Sequence, residues 1–144
     1  MKLTKKTIEN EEVYFENGVK KYTHYKDSEG FEIWKEYDKN DNEIHSIDSD
    51  GYESWIEFDK NNNVIHSKDS DGSETWREFD SNNNEIHYKS SNGYETWKEY
   101  DSNNNLIHYK DNYGSESWSD DNPNNPKNVG VEVDIEPFKF KKEK

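Results

Sequence analysis

Histidine, tryptophan and glutamate recur along this chain at fixed intervals, and they are the residues equipped to do chemistry. His24, His45, His66, His87 and His108 stand 21 residues apart, as do Trp34, Trp55, Trp76, Trp97 and Trp118. Glu32 and Glu36, Glu53 and Glu57, Glu74 and Glu78, and Glu95 and Glu99 bracket the first four tryptophans. Imidazole near carboxylate suggests acid–base catalysis, metal ligation or a charge switch near neutral pH. Catalysis requires one asymmetric cluster whose members occupy different environments. Here every candidate acid or base is repeated in each unit or lies in a polar tail, and no phosphate-cradling loop is present. The expectation is a protein that is not an enzyme and needs no cofactor.

Metal ligation fares no better. One histidine per two-stranded repeat places successive imidazoles about 9.6 Å apart, too far to share a zinc ion with bonds of about 2.1 Å. The runs Asp38/Asn40/Asn42, Asp59/Asn61/Asn63, Asp80/Asn82/Asn84 and Asp101/Asn103/Asn105 resemble the opening of a calcium loop. They lack its central Gly, and Ser49, Ser70, Ser91 and Asn112 stand where its bidentate Glu belongs. Turn chemistry accounts for them, so no metal site is expected. The histidines are read as structural, packing on Trp and pairing with Glu, with a pH response as a consequence. The tryptophans are either a ligand stripe or the packing that replaces a core, and their Glu, Lys and His neighbours favour packing.

The elements that position these residues follow from the repeat, G-x-E-x-W-x-E-[YF]-D-x-N-x-N-x-I-H-x-K. Units fall near 13–29, 30–50, 51–71, 72–92 and 93–113, with a partial copy at 114–121, between a basic N-terminal segment (1–12) and a C-terminal linker and capping strand (122–144). Each unit holds two runs of alternating aromatic, β-branched and polar residues, Tyr52–Asp59 and Val64–Asp69 in one copy, which is the signature of strands. Asp59-Lys60-Asn61-Asn62-Asn63 and Ser70-Asp71-Gly72 supply turn residues. The fold class expected is all-β, an elongated twisted antiparallel meander, single-layered, with capping end segments.

Register follows from requiring successive tryptophans to share a face. A three-residue turn at Ser70-Asp71-Gly72 sets Lys68 opposite Glu74 and His66 opposite Trp76. An even Asn loop sets Asp59 opposite Val64, Glu57 opposite His66 and Trp55 opposite Lys68; a slip of one residue would throw successive repeats onto opposite faces. One face then carries Glu, His, Trp and Lys, with ion pairs and Lys-on-Trp contacts of about 0.2–1 kcal/mol each. The other carries Tyr52, Phe58, Ile65 and their repeat mates. At the ends, Val131, Val133 and Ile135 read as a closing strand, and Lys2, Lys5 and Lys6 with the C-terminal lysines would blunt the sheet edges.

Composition limits the partners. Residues 27–121 hold 25 acidic and 8 basic side chains, a net charge of −17, while both ends are slightly basic. Such a surface repels nucleic acid and anionic lipid and attracts basic proteins. Val, Ile, Leu and Phe number only 23, but the 21 aromatic residues keep phase with the repeat, which disorder would not maintain. No cysteine is present. Neither a secretory signal nor an apolar stretch of membrane-spanning length occurs, so a cytoplasmic location is expected.

The Y/F-D-x-N-x-N-x-I segment followed by G-x-E-x-W resembles the hairpin units of YD-type (Rhs-like) and MORN-variant repeats, over roughly residues 13–121. It departs from both in placing Asn or Asp where they usually have the turn Gly, and in its Trp-Glu and Ile-His pairs. The resemblance implies an elongated hairpin sheet serving as a scaffold or binding surface, with no active-site residue carried over.

The function expected is non-enzymatic binding of a basic protein surface through the face bearing Glu32, Trp34, Glu36 and their repeats. Carboxylates spaced about 5–10 Å apart along a stiff sheet are comparable to strand phosphates, which suits mimicry of nucleic acid against a nucleic-acid-binding enzyme, in the manner of phage-encoded anti-CRISPR inhibitors. Two alternatives stand beside it. One is a carbohydrate or cell-envelope ligand module using the Trp ladder. The other is a structural spacer that self-associates through its sheet edges.

Overall fold

The computed structural model describes residues 2–128 and is all-β. Its strands are β1 (Leu3–Ile8), β2 (Glu11–Glu16), β3 (Val19–Lys26), β4 (Glu32–Tyr37), β5 (Glu43–Asp48), β6 (Glu53–Phe58), β7 (Val64–Asp69), β8 (Glu74–Phe79), β9 (Glu85–Ser90), β10 (Glu95–Tyr100), β11 (Leu106–Asp111) and β12 (Glu116–Trp118). They form one open antiparallel sheet in sequence order, a meander of hairpins in which every strand touches only its sequence neighbours. Among the described residues there is no helix, and hence none long and apolar enough to cross a membrane.

A single sheet has no interior to fill. Val13 is the only buried apolar side chain among the described residues. What orders the chain is instead local: cross-strand pairs repeated along the sheet, and turn chemistry at both of its long edges.

Both kinds of turn have one design. Asp69 N–H donates to Ser73 O at 3.0 Å, Gly72 N–H to Asp69 O at 3.1 Å, and the Asp69 carboxylate accepts the N–H groups of Asp71 and Ser73. On the opposite edge Asp59 N–H donates to Asn63 O at 2.9 Å, Asn62 N–H donates to Asp59 O at 3.1 Å, and Asp59 Oδ1 accepts from Asn61 and Asn63 N–H. The residue closing each turn is left-handed, with φ of 91° at Gly72 and 65° at Asn62. Glycine meets that need without steric cost and Asn tolerates it. Gly72→Ala is therefore expected to lower stability by about 1 kcal/mol although open space surrounds the new methyl group. Urea denaturation would measure the loss, and an unchanged midpoint would refute the strain.

The turns are also tied from repeat to repeat. Asn63 Nδ2 donates to Asp59 Oδ2 within its own loop and to Asn83 Oδ1 in the next, and Asn42 and Asn84 bond Asn62 and Asn104 in the same way. Along the other edge Ser70 N–H donates to Glu53 O at 2.8 Å while Glu53 N–H donates to Ser70 Oγ at 2.9 Å, and Ser49, Ser91 and Asn112 repeat the clamp.

The register matches expectation on the Trp-bearing face: Lys68 opposes Glu74, His66 opposes Trp76, Glu57 opposes His66 and Trp55 opposes Lys68. One pairing differs. Phe58, not Asp59, stands opposite Val64, and the register shifts between Glu57 and Phe58. The Asn loop is odd, a three-residue turn between Asp59 and Asn63, and the even offset is restored by a β-bulge at Ile65. The same bulge recurs beside Glu36, Glu78 and Glu99.

At the N-terminus the basic segment is a strand in its own right. β1 pairs with β2 along its whole length, all of its residues are exposed, and Lys5 Nζ lies 2.7 Å from Glu12 Oε1. After β12 the Asn-Pro segment winds through consecutive turns. Asn122, Asn125 and Asn128 N–H donate in succession to Ser119, Asn122 and Asn125 O, and the side chains of Asn122 and Asn125 are buried. Pro123 and Pro126 follow Asn122 and Asn125 in these turns, where their fixed φ is favourable. The closing strand expected at Val131, Val133 and Ile135, with its lysines, lies outside the described residues.

Candidate functional site

The pleat sorts the repeat onto two unlike faces. One carries diagonal rows that cross five strands, such as Glu57–His66–Trp76–Lys89–Glu95. Glu36–His45–Trp55–Lys68–Glu74 and Glu78–His87–Trp97–Lys110–Glu116 repeat it. Every binding residue expected from sequence is therefore brought to one surface: Glu32, Trp34 and Glu36; Glu53, Trp55 and Glu57; Glu74, Trp76 and Glu78; Glu95, Trp97 and Glu99.

Each histidine is the hub of its row. The His66 ring stacks on Trp76 with centroids 5.5 Å apart and planes 16° from parallel. Its Nε2 lies 2.8 Å from Glu74 Oε1 and its Nδ1 3.2 Å from Glu57 Oε1. The hydrogen bond with Glu74 raises its pKa above the usual imidazole value; partial burial opposes the shift, and Glu57 reinforces it. His108 lies between Glu99 and Glu116 at 3.3 and 2.9 Å, and His24, His45 and His87 bond Glu32, Glu53 and Glu95. Each of the five stacks on the tryptophan across the strand.

The Lys-on-Trp contacts expected from register are replaced by these stacks. Lys68, Lys89 and Lys110 do stand across from Trp55, Trp76 and Trp97. Yet the cation–π contacts among the described residues fall on Phe15, Tyr22, Tyr37 and Tyr88, and each of these three indoles has instead an imidazole in offset stacking with planes within 18° of parallel.

The glutamates divide into two sets. Glu53, Glu74 and Glu95 are engaged by histidine, with about a quarter to a third of each side chain exposed. Glu57, Glu78 and Glu99 approach the other imidazole nitrogen at 3.2, 3.7 and 3.3 Å but keep 66%, 69% and 55% exposure, while their counterpart Glu36 is 30% exposed and paired with Lys21. Over β4–β12 this face holds nine glutamates against three lysines. The loop aspartates are already occupied by their turns. Hydrogen bonds from the Asn63 side chain and backbone hold the Asp59 carboxyl below the usual range. Among the described residues no group of three or more His, Asp or Glu is placed to hold a metal ion.

The second face was not singled out by the repeat, because its residues are the ones that change from copy to copy. Small hydroxyls line its centre, with Ser46 and Ser54 hydrogen-bonded at 2.8 Å and Ser67 and Thr75 at 2.7 Å. Toward the C-terminal end these give way to Tyr88, Tyr94 and Tyr109 around buried Thr96, where they border a shallow, solvent-open groove with Arg77, Glu85 and Lys98. Glu85 holds both cations, Lys98 Nζ at 2.9 Å and Arg77 Nε at 3.3 Å. The Arg77 guanidinium lies 5.0 Å from the Tyr88 ring centroid, and the Tyr94 and Tyr109 hydroxyls are 3.0 Å apart. Aligning the copies and asking which positions vary would have marked this cluster in the sequence. No protein-family model matches the chain, and no curated protein matches it in sequence.

Proposed function

We propose that the chain is a non-catalytic binding protein whose Glu–His–Trp face engages a basic protein surface. The observation that carries this reading is the line of exposed carboxylates at Glu57, Glu78 and Glu99, spaced one repeat apart on a face with nine glutamates against three lysines. Charges fixed on a stiff sheet meet a complementary row of Lys or Arg without the ordering cost a flexible acidic tail would carry. Regular spacing favours a partner that ordinarily holds a regularly spaced polyanion, so a nucleic-acid-binding enzyme blocked by mimicry is the specific form proposed.

The test is affinity capture from host lysate with tagged protein, washed stepwise from low to high salt. A basic nucleic-acid enzyme that is retained at low salt and released as salt rises is the expected result. Its retention should fall when Glu57, Glu78 and Glu99 are changed together to Gln. Capture that the triple change leaves intact would remove this face from consideration. One observation favours a second reading. Trp34, Trp55, Trp76 and Trp97 remain 42%, 39%, 37% and 38% exposed, which leaves indole surface available to a sugar or amine ligand. Saturable quenching of Trp fluorescence by a glycan would favour that reading.

A further inference from the structure

We propose that the opposite face carries a small-molecule site, the groove bordered by Arg77, Glu85, Tyr88, Thr96, Lys98 and Tyr109, and that its ligand is a compact aromatic carboxylate. The repeat serves as an internal control. Where this groove has Arg77, Glu85, Tyr88 and Tyr94, the preceding copy has Ile56, Val64, Ser67 and Ser73. Those residues form the same strands with the same register, so the hairpin does not require the aromatic and charged set. On the Glu–His–Trp face, by contrast, Glu, His and Trp stay constant across the same two copies. The 30–50 unit already carries a cation–glutamate pair at these places, Lys35 with Glu43 at 3.0 Å, and has Tyr52 in the place of Tyr94; what this groove adds is Tyr88, Lys98 and Tyr109 where that region has Ser46, Ile56 and Ser67.

That chemistry specifies the ligand class. Tyr109, and Tyr88 with Arg77 over its ring, offer stacking surface to a planar group, while Tyr94 is stacked on Tyr113. Two cations share the single carboxylate of Glu85, which leaves one positive charge unmatched among the side chains lining the groove. Asp111 does not line it; it accepts the Tyr109 hydroxyl at 3.1 Å and uses its other oxygen on backbone N–H groups of its own turn. Arg77 uses Nε on Glu85 and Nη1 on Thr75, so it retains N–H donors for an incoming carboxylate. Size and field select a compact anion over a polymer, because the array around the groove has a net charge of −17 and repels extended polyanions.

The experiment is saturation-transfer NMR on the full chain with benzoate, its neutral counterpart benzamide, and a Glu-rich peptide. Transfer to benzoate that saturates in the millimolar range, with benzamide weaker, is the expected result. The double variant Arg77→Ile, Tyr88→Ser should weaken benzoate binding about tenfold. Both replacements are residues the preceding copy carries at the same places, and circular dichroism would verify that the sheet is retained. The site is overturned by absence of benzoate transfer, by equal binding of benzamide, or by unchanged affinity in the double variant. Binding of the peptide alone would overturn the small-molecule assignment and give the face to a protein partner. None of these outcomes depends on the acidic face, so the two proposals fail separately.

Discussion

Removing residues 51–71 as a block is expected to leave a folded sheet of ten strands, whereas removing Ile65 alone is expected to abolish cooperative folding. The larger deletion takes out β6 and β7 and joins Asp50 to Gly72, which restores Asp48-Ser49-Asp50-Gly as a turn of the same composition. Ser49 keeps its clamp on Glu32, which lies in the retained β4. Since strands touch only their neighbours, nothing distant is lost, and stability should fall by roughly the share of one repeat and its interface.

Deleting Ile65 removes twenty fewer residues and does more damage. The three-residue Asn turn sets an odd offset, and the bulge residue is what returns His66 and Lys68 to the face of Trp55 and Glu57. Without it, either the pleat of β7 inverts, sending His66 and Lys68 to the second face, or the loop must be rebuilt at the expense of its Asp59 hydrogen bonds. The units before and after the β6–β7 junction keep their own register but then present their Glu–His–Trp rows on opposite faces. Ile65→Ala separates register from side chain; it keeps the bulge and should cost about 1–2 kcal/mol. Chemical denaturation followed by near-ultraviolet circular dichroism reads all three variants. A cooperative transition in the Ile65 deletion, close to that of the parent, would show that the bulge does not set the faces.

That comparison also locates what the sequence could and could not convey. The strands, the meander and the pairing of Lys68 with Glu74 and His66 with Trp76 were legible because period-two alternation and a fixed repeat leave one consistent face for tryptophan. The bulge was not, since an even loop and an odd turn plus one extra residue satisfy the same facial constraint; only Asn62 at positive φ, in the place of the usual Gly, distinguishes them. Histidine packing on tryptophan was legible from the same register, but that the lysines would make no cation–π contact of their own with indole was hidden. Both groups stand across from a tryptophan, and the choice depends on side-chain geometry that register does not specify. The groove at Arg77 and Tyr88 lay in the positions a consensus discards, because a repeat pattern reports what the fold requires and is silent on what one copy adds.

The melting temperature should rise as pH is lowered from about 8 to about 6, and fall again below about 4. The raised pKa of His66 sets the first limb. Its stabilisation is fully present below the ordinary imidazole value and is lost as pH climbs through the higher folded value. Asp59, Asp80 and Asp101, lowered chiefly by hydrogen bonds from the Asn that ends each loop, set the second limb together with Glu12, lowered to about 2 mainly by its bond from Lys5. Their stabilisation is present above the ordinary carboxylate range and is lost as pH falls through the lower folded values. Net charge adds to the first limb, since a protonated imidazole offsets part of the negative charge along the sheet. Salt separates the two contributions: long-range repulsion is screened within about 10 Å at 0.1 M, while a His–Glu pair in direct contact on top of an indole is screened less. At high salt the rise should persist in the parent and shrink in His66→Gln. A profile that is flat between about pH 8 and 6, or one that His66→Gln leaves unchanged, would rule out the histidine row as a source of stability.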